Sequence, residues 1–344
     1  MHKVSMPHCP VKPEWFALTT EAILEPELPI VDPHHHLWDR QGSRYLIHDL
    51  YADLNSGHNV TETVFIQNRA MLRADGPPEF APVGEVEFAN GAAAFGASGL
   101  YGGARACAGI VAGADLMLSD RLEPVLEAMQ RTAGERLRGV RNAVVWHESP
   151  QVQSSTTSPP RGLLSDAAFR RGVAVLARLG LSLDIWAYHT QLDEVYALAR
   201  ATPGVRVVVD HFGGPVGTGP HAADMTATVA DWSTGMARLA SLPNVMVKLG
   251  GGGVPVLGFG FDREAVPPAS AQLAAAWNTY FNVCVDLFGC ERCMFESNFP
   301  VDKGMFSYHV LWNAFKRLAA GASVAEKTAL FSGTARRAYR LVAR

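Results

Sequence analysis

The stretch TQLDEVYALARATPGVRVVVDHFGGP, residues 190–215, contains a helix-to-strand unit. Its first half has the 3.6-residue apolar spacing of an amphipathic helix and ends at a glycine. Its second half is a β-branched run that stops abruptly at Asp210, His211 and two glycines. A strand that is apolar on both faces is typical of a parallel sheet covered by helices. The stretch therefore predicts one repeat of an alternating α/β fold, with titratable side chains at the carboxyl end of its strand.

The same alternation continues along the chain. Segments with helical periodicity separate the strand-like runs, and EVEFANGAAAFGASG is the weakest of these predicted helices. Strict alternation predicts parallel strands, and closure into a (β/α)8 TIM barrel, an α/β fold, is the economical arrangement. An open doubly wound sheet is the alternative, which the lack of a GxGxxG motif after the first strand disfavours. The predicted strands are 30–34, 62–67, 105–111, 137–145, 181–186, 205–211, 245–249 and 292–295.

The extra length of the chain is concentrated after strands. We predict one barrel domain over residues 30–344, preceded by an N-terminal extension, residues 1–29, that packs on it. Long stretches that we interpret as irregular follow four of the strands, at 38–60, 146–164, 212–223 and 250–268. In a barrel all such loops gather at the C-terminal face, where catalysis occurs. The sequence therefore predicts long loops around an active site at that face.

Composition excludes several classes of partner. The formal net charge is -3 and no block of like charge occurs, so we expect no nucleic acid or anionic membrane as partner. No apolar run reaches the roughly 18 residues of a membrane span, and the first residues do not have the pattern of a secretory signal. Five scattered cysteines suit a reducing compartment, so we expect a cytoplasmic protein.

Three consecutive histidines follow the first strand-like run. His34 and His36 are two residues apart, so on an extended strand both project to the same side, about 7 Å apart along the backbone. His35 points the other way. The pair can converge on one metal ion or one carbonyl oxygen, and the plainer interpretation is a polar cluster at the end of a strand.

Other strand ends carry further candidates. His211 follows the sixth strand, which places it at the same rim as His34 and His36, although a lone histidine there would more often be a satisfied core residue. Trp186 ends the fifth strand and His189 follows it, where it could equally start the next helix. Lys248 precedes four glycines at the end of the seventh strand and is otherwise a buried ion-pair partner.

The eighth strand and two arginines complete the candidate set. Glu296, Asn298 and Asp302 follow the eighth strand closely, and such a density of polar groups indicates a site. Arg69 and Arg141 follow or end earlier strands. Guanidinium groups at the rim suit a carboxylate-bearing substrate through paired hydrogen bonds, and the plainer interpretation is surface charge.

These motifs together resemble a known family. HxH on the first strand, DHFGGP on the sixth and MFESNFPVDK on the eighth are similar to the amidohydrolase-related family, in the branch of barrel hydrolases that includes lactonases. The likeness runs from about residue 29 onward. It implies that His34, His36 and His211 polarise the substrate carbonyl, directly or through one divalent ion held by these three residues.

The chain departs from the family pattern at one position. Many relatives have a base aspartate where this chain has Asn298, and an amide cannot accept a proton at neutral pH. We therefore predict Asp302 as the base, with Glu296 next and a histidine third. Loss of the anionic ligand also lowers metal affinity, so we expect either no cofactor or one divalent cation, zinc first.

Three functions remain open at this stage. The first is a hydrolase that opens a small carboxylated lactone by water attack, with Arg69, Arg141, Trp186, His189, Lys248 and Glu296 contacting the substrate. The second is a metal-dependent decarboxylase or hydratase of an aromatic breakdown intermediate. The third is a small-molecule binding barrel without turnover. The partner is a small molecule in each case, and assembly into a homo-oligomer stays open.

Overall fold

Eight parallel strands form one sheet in which each strand pairs with the next one along the chain. The computed structural model describes residues 8–40, 42–155 and 158–342. Two further short strands, the second and third in the chain, form an antiparallel hairpin after the first strand. In chain order the strands are β1 (Ile30–His35), β2 (Trp38–Arg40), β3 (Ser43–Tyr45), β4 (Val60–Ile66), β5 (Arg105–Gly113), β6 (Leu137–Ala143), β7 (Ser182–Trp186), β8 (Val207–Val209), β9 (Val245–Leu249) and β10 (Cys293–Phe295).

The sheet closes through backbone contacts between β1 and the segment after β10. The amide of Asn298 donates to the carbonyl of His34 at 2.9 Å, and the amide of His36 donates to the carbonyl of Phe299 at 2.7 Å. The first and last strands are therefore held together at their carboxyl ends. This arrangement confirms the predicted TIM barrel, and the open sheet is wrong.

Helices cover the outside of the barrel. The main core lies between them and the sheet, where apolar side chains of both layers are buried. The segment with the weakest helical pattern does form a helix, the third in the chain. The α-helices are α1 (Pro13–Phe16), α2 (Ile47–Leu54), α3 (Val83–Ala97), α4 (Glu123–Ala133), α5 (Ala167–Arg178), α6 (Leu192–Ala201), α7 (Met225–Ala240), α8 (Ser270–Phe288), α9 (Tyr308–Leu318), α10 (Val324–Thr328) and α11 (Thr334–Tyr339).

The end of the barrel opposite the long loops is closed by α11. Ala335, Ala338 and Tyr339 join an apolar cluster with residues of β1, β4, β5, β8, β9 and β10 that face the barrel interior. The Tyr339 hydroxyl reaches further and donates to Asp184 on β7 at 2.5 Å. The barrel is therefore sealed at one end, and its cavity opens at the other.

One predicted irregular stretch is partly wrong. Residues 38–60 contain the β2–β3 hairpin and α2, because strands of three residues give no readable alternation in the sequence. The helix α2 begins after Leu46, whose amide donates to Asp49 at 2.8 Å, a capping contact that the sequence did not make evident.

The segment before β1 lies against the barrel and its loops. Lys316 on α9 donates to the carbonyls of Leu24 and Glu25 at 2.7 and 2.9 Å. The Trp15 indole donates to the carbonyl of Glu264, in the loop after β9, at 3.0 Å. The assignment of residues 1–29 as a separate extension stays a prediction, and residues 1–7 lie outside the described chain.

Candidate active site

A cavity of about 390 Å³ opens at the carboxyl ends of the strands. Its described lining includes one histidine from the end of β1, the histidine after β8 and the amide side chain after β10. Arginine and tryptophan side chains from the ends of β4, β6 and β7 also line it. Among the predicted site residues the lining contains His36, Arg69, Arg141, Trp186, His211 and Asn298.

His36 and Asn298 face each other with two acceptor atoms. His36 Nδ1 lies 2.8 Å from the carbonyl of Ile66, so Nδ1 carries the proton and the neutral ring has a lone pair at Nε2. The Asn298 Nδ2 group donates to Asp302 at 2.8 Å, which turns the amide oxygen toward the cavity. That oxygen lies 3.3 Å from His36 Nε2. A pair of acceptors at this distance, with no hydrogen between them, is complementary to a cation.

Glu296 lies between His34 and His211 and contacts both imidazoles at their Nδ1 atoms. Its Oε1 accepts from His211 Nδ1 at 2.6 Å and from the His211 amide at 3.1 Å. Its Oε2 makes no aligned hydrogen bond but lies 2.6 Å from His34 Nδ1, a distance that requires a proton between the two atoms. Each ring, when neutral, therefore has its lone pair at Nε2. A carboxylate that orients ligating histidines in this way is typical of metal sites.

The Nε2 atoms of His34 and His36 are 3.3 Å apart. Ligands bonded tetrahedrally at 2.0–2.1 Å are separated by about 3.3 Å, so the spacings from His36 Nε2 to His34 Nε2 and to the Asn298 oxygen suit zinc. A second set of donor atoms, from His34, Asp210 and His211, lies within 4.8 Å. Asp210 already forms ion pairs with Lys248 and Arg141, so the set of His34, His36 and Asn298 is the better candidate. The residues present therefore fit one divalent ion.

A buried layer of charge lies beneath the histidines. Lys248 Nζ is 2.8 Å from Asp184 and 3.1 Å from Asp210, and it is 3.1 Å from His34 Nδ1. Arg141 reaches the other oxygen of Asp210 at 3.0 Å. Burial alone would lower the pKa of Lys248, but the surrounding carboxylates raise it, so the ammonium stays charged. The two aspartates therefore hold the ammonium directly beneath the His34 ring.

Several predicted substrate contacts lie outside the cavity lining. Lys248 and Glu296 are fully buried beneath the histidines, and their contacts are those of supporting residues. His189 accepts the amide of Val216 at 3.1 Å and stacks edge-on with His221, away from the described lining. The substrate contacts predicted for these three residues stay predictions.

Asp302 is also buried and does not appear in the described lining. Its two oxygens accept from the Asn298 side chain at 2.8 Å and from the amide of Gly253 at 2.9 Å. Burial raises the pKa of Asp302 well above its usual range. These contacts orient the Asn298 amide, and they favour this supporting role over the predicted one as base.

Backbone strain is concentrated around the same residues. His211, Phe212 and Asn298 have φ values of 55°, 54° and 54°, in the left-handed region that residues other than glycine rarely adopt. At Gly251 a Cβ would come 2.4 Å from the His211 ring, so only glycine permits this approach. Non-glycine residues in this region cluster at functional sites, which agrees with the chemistry found there.

The sequence did not single out Glu85 on α3, although the cavity lining includes it. Its carboxylate accepts the amides of Asn68 and Ala70 at 2.8 and 2.9 Å, and so holds the turn that presents Arg69. Burial raises the pKa of Glu85 to about 7, against the opposing effect of those amides. Glu85 lies in the first turn of α3, a helix that the sequence predicts only weakly, so nothing in the sequence indicates this contact.

Comparison with known proteins agrees with these motifs and this geometry. The family model for amidohydrolases matches residues 31–341. The chain belongs to this family. It is 30% identical to the protein y4mH of Sinorhizobium fredii over 92% of this chain and 99% of that protein. It is 31% identical to an L-fucono-1,5-lactonase of Burkholderia multivorans over 64% of this chain and 69% of that protein.

A solved structure supports the same assignment. An amidohydrolase of Burkholderia multivorans with bound zinc has a TM-score of 0.70 and 26% identity, and the match covers 91% of this chain and 99% of that one. The family is one of enzymes, and the predicted membership is confirmed. Within the described residues, every helix is too short or too polar to cross a lipid bilayer.

Proposed function

We propose that this protein hydrolyses the ester bond of a small lactone that carries a carboxylate. The observation that carries the proposal is the position of His36 Nε2, which lies 3.3 Å from both His34 Nε2 and the Asn298 oxygen in the cavity that His211 also lines. Such acceptor atoms can hold a cation that would polarise a carbonyl oxygen, and they leave a separate imidazole, His211, to take a proton. The lactonase relative supports the choice of ester over other bonds.

His211 is the group that we propose as proton acceptor. Its ring lines the cavity, and the bond from Nδ1 to Glu296 leaves Nε2 free to accept the proton of the attacking water. Glu296 stabilises the imidazolium that forms, as a carboxylate does in other histidine dyads. We therefore favour His211 over Asp302 as the base. A histidine is among the candidates that the sequence offers for this role, since Asn298 occupies the position of the family aspartate.

His34, His36 and Asn298 form the opposite side of the reacting centre. They are the residues that would hold a divalent ion, with His211 left free. A bound ion would supply Lewis-acid polarisation of the carbonyl oxygen. The protein itself contributes the fixed orientation of these three donors, through Ile66 for His36, Glu296 for His34 and Asp302 for Asn298.

The arginines are proposed to bind the carboxylate of the substrate. Arg69 and Arg141 both line the cavity, and the Arg141 side chain is 10% exposed while its Nε remains bonded to Asp210. That bond fixes the guanidinium plane, so its other nitrogens can face a carboxylate. Trp186 packs edge-on against His211 at 4.7 Å and offers an apolar wall for a ring-shaped substrate.

A lactone panel tests the proposal directly. Purified protein is assayed for proton release with a pH indicator, starting from L-fucono-1,5-lactone, after chelation and after addition of Zn²⁺ or Mn²⁺. Turnover of at least one carboxylated lactone, abolished in His211→Gln, is expected, and turnover of neutral sugar lactones alone would refute the proposed carboxylate. Absence of turnover across the panel under every metal condition would refute the proposal, and binding without turnover would favour the non-catalytic barrel.

One observation favours the decarboxylase as the second candidate. Glu85 is the carboxyl side chain in the described lining, and one of its oxygens, Oε1, accepts two backbone amides. Loss of carbon dioxide needs no carboxylate to activate water, so the lining is also compatible with that reaction. Release of carbon dioxide from hydroxybenzoates, with no lactone opened, would establish this alternative.

A further inference from the structure

The N-terminal segment brings one histidine to the active-site cavity. Residues 8–19, which we call the strap, precede the barrel, yet His8 belongs to the cavity lining. Its ring packs against Trp38 of β2, with centroids 5.2 Å apart, and Trp38 also contacts the ring of His36 at 6.1 Å. The Trp38 ring therefore lies between His8 and His36 of the reacting centre.

The strap is fixed to the loop after β9 along its length. Lys12 donates to the carbonyl of Asp262 at 3.1 Å, and Thr19 donates to the carbonyl of Pro267 at 2.8 Å. Trp15 is bonded between these two points. At Gly304 a Cβ would come 2.2 Å from the carbonyl of Cys9, so the chain next to His8 lies directly on the segment after β10. These contacts fix the position of the strap, and with it the position of His8.

The His8 side chain has unused hydrogen-bonding capacity. Its Nδ1 is buried and has no hydrogen-bond partner among the described residues. That nitrogen is closed off from solvent, so a bound molecule would meet the ring at Nε2, on its other side, since the ring lines the cavity. Burial and the nearby Arg40 charge lower the pKa of His8 to about 4, which keeps the ring neutral near pH 7 and able both to donate and to accept.

We propose that His8 is a substrate-contacting residue that hydrogen-bonds an oxygen substituent of the substrate at the Trp38 side of the cavity. The guanidinium of Arg40 lies 4.9 Å from the Trp38 ring and adds positive charge to the same wall. The wall formed by His8, Trp38 and Arg40 therefore recognises a hydroxyl or carboxylate oxygen away from the scissile bond. This inference rests on the proposed function, because it names a contact for the same substrate.

Kinetics of full-length variants test the contact. His8→Ala is expected to raise KM for the best lactone of the panel about 10-fold with kcat nearly unchanged, because a lost hydrogen bond of about 1.4 kcal/mol weakens binding uniformly. His8→Gln retains a donor and an acceptor and should restore most of the loss. Trp15→Phe, which removes a strap bond outside the cavity, is the matched control and should behave as the wild type.

The outcomes separate the two claims. An unchanged KM in His8→Ala, or an equal rise in Trp15→Phe without rescue by His8→Gln, overturns the role of His8 while lactone hydrolysis stands. If the wild type opens no lactone, the proposed function fails by itself. His8 is then judged by its reaction with diethyl pyrocarbonate, followed by peptide mass spectrometry with and without L-fuconate. Protection of His8 supports the contact, and equal modification refutes it.

Discussion

Replacing Glu296 by glutamine tests the central feature of the site, the carboxylate shared by His34 and His211. Glutamine has nearly the same shape but offers one oxygen and one NH2 group. The oxygen is expected to stay with the two His211 donors, at Nδ1 and the backbone amide, because together they outnumber the single contact to His34. The NH2 group then faces His34 Nδ1, at the position where the carboxylate oxygen is 2.6 Å away.

The magnitude follows from the proton on His34. With an NH2 group beside Nδ1, the neutral ring must accept there, so its proton moves to Nε2. That nitrogen can then donate to His36 Nε2, 3.3 Å away, and is lost as a ligand. Disturbing the partner of one ligating histidine costs 10- to 100-fold in metal affinity or activity. Because the variant also removes a buried negative charge, we expect a loss of zinc affinity at the upper limit, about 100-fold.

The assay is competition for Zn²⁺ against a chelator of known affinity, with kcat/KM measured at saturating metal. Glu62→Gln is the matched control, since Glu62 is a buried glutamate that pairs with Arg105 and Arg336 in the barrel wall, far along β4 from the cavity. It should lose stability but keep zinc affinity. A Glu296→Gln protein that is folded and binds zinc within about 3-fold of the wild type would refute the reasoning.

Three further substitutions have defined outcomes. Asn298→Asp supplies an anionic ligand beside a carboxyl whose raised pKa lets it stay protonated, so zinc affinity should rise at least about 10-fold in the same competition assay. His211→Gln should lower kcat by about 10²- to 10⁴-fold while zinc affinity stays within about 3-fold; a parallel loss of zinc would instead make His211 a ligand. Burial and the Lys316 charge lower the pKa of His58 to about 4, so its neutral ring favours the folded state above pH 6.5. As the pH falls toward 4, the free energy of unfolding should decrease by up to about 3 kcal/mol, because the unfolded chain binds the proton more readily. Urea unfolding at pH 7 and 4.5 should show a smaller decrease in His58→Asn than in the wild type.

The barrel could be predicted from the sequence because buried parallel strands leave a strong mark. The run before Asp210 is apolar on both faces, and its strand occupies Val207–Val209 within the predicted range. The hairpin strands Trp38–Arg40 and Ser43–Tyr45 contain polar and charged side chains and have no such run around them, so the sequence predicts a loop there. Prediction succeeded where an apolar run surrounds the strand, even one of three residues, and failed where short strands are polar.

The site could be predicted only in part, for reasons of backbone geometry. Strand alternation correctly brought His34 and His36 to one side. Beyond Phe295 the alternation of side chains along the strand does not hold, since Asn298 has a left-handed backbone conformation. The sequence therefore could not indicate that Glu296 lies beneath the histidines while Asn298 faces the cavity. His8 was undetectable because its contact with the cavity spans the whole strap and has no local periodicity.

The contacts of His35 explain why the chain has three consecutive histidines at the end of β1. His35 faces outward from the barrel interior, where its Nε2 lies 2.8 Å from the Thr63 hydroxyl on β4. That hydroxyl oxygen also accepts the amide of Cys107 on β5 at 2.9 Å. The residue therefore ties the end of β1 to two neighbouring strands. A slip of β1 by one residue would place His35 inside and turn His34 and His36 outward, so the bonds of His35 hold the register on which the inner pair depends.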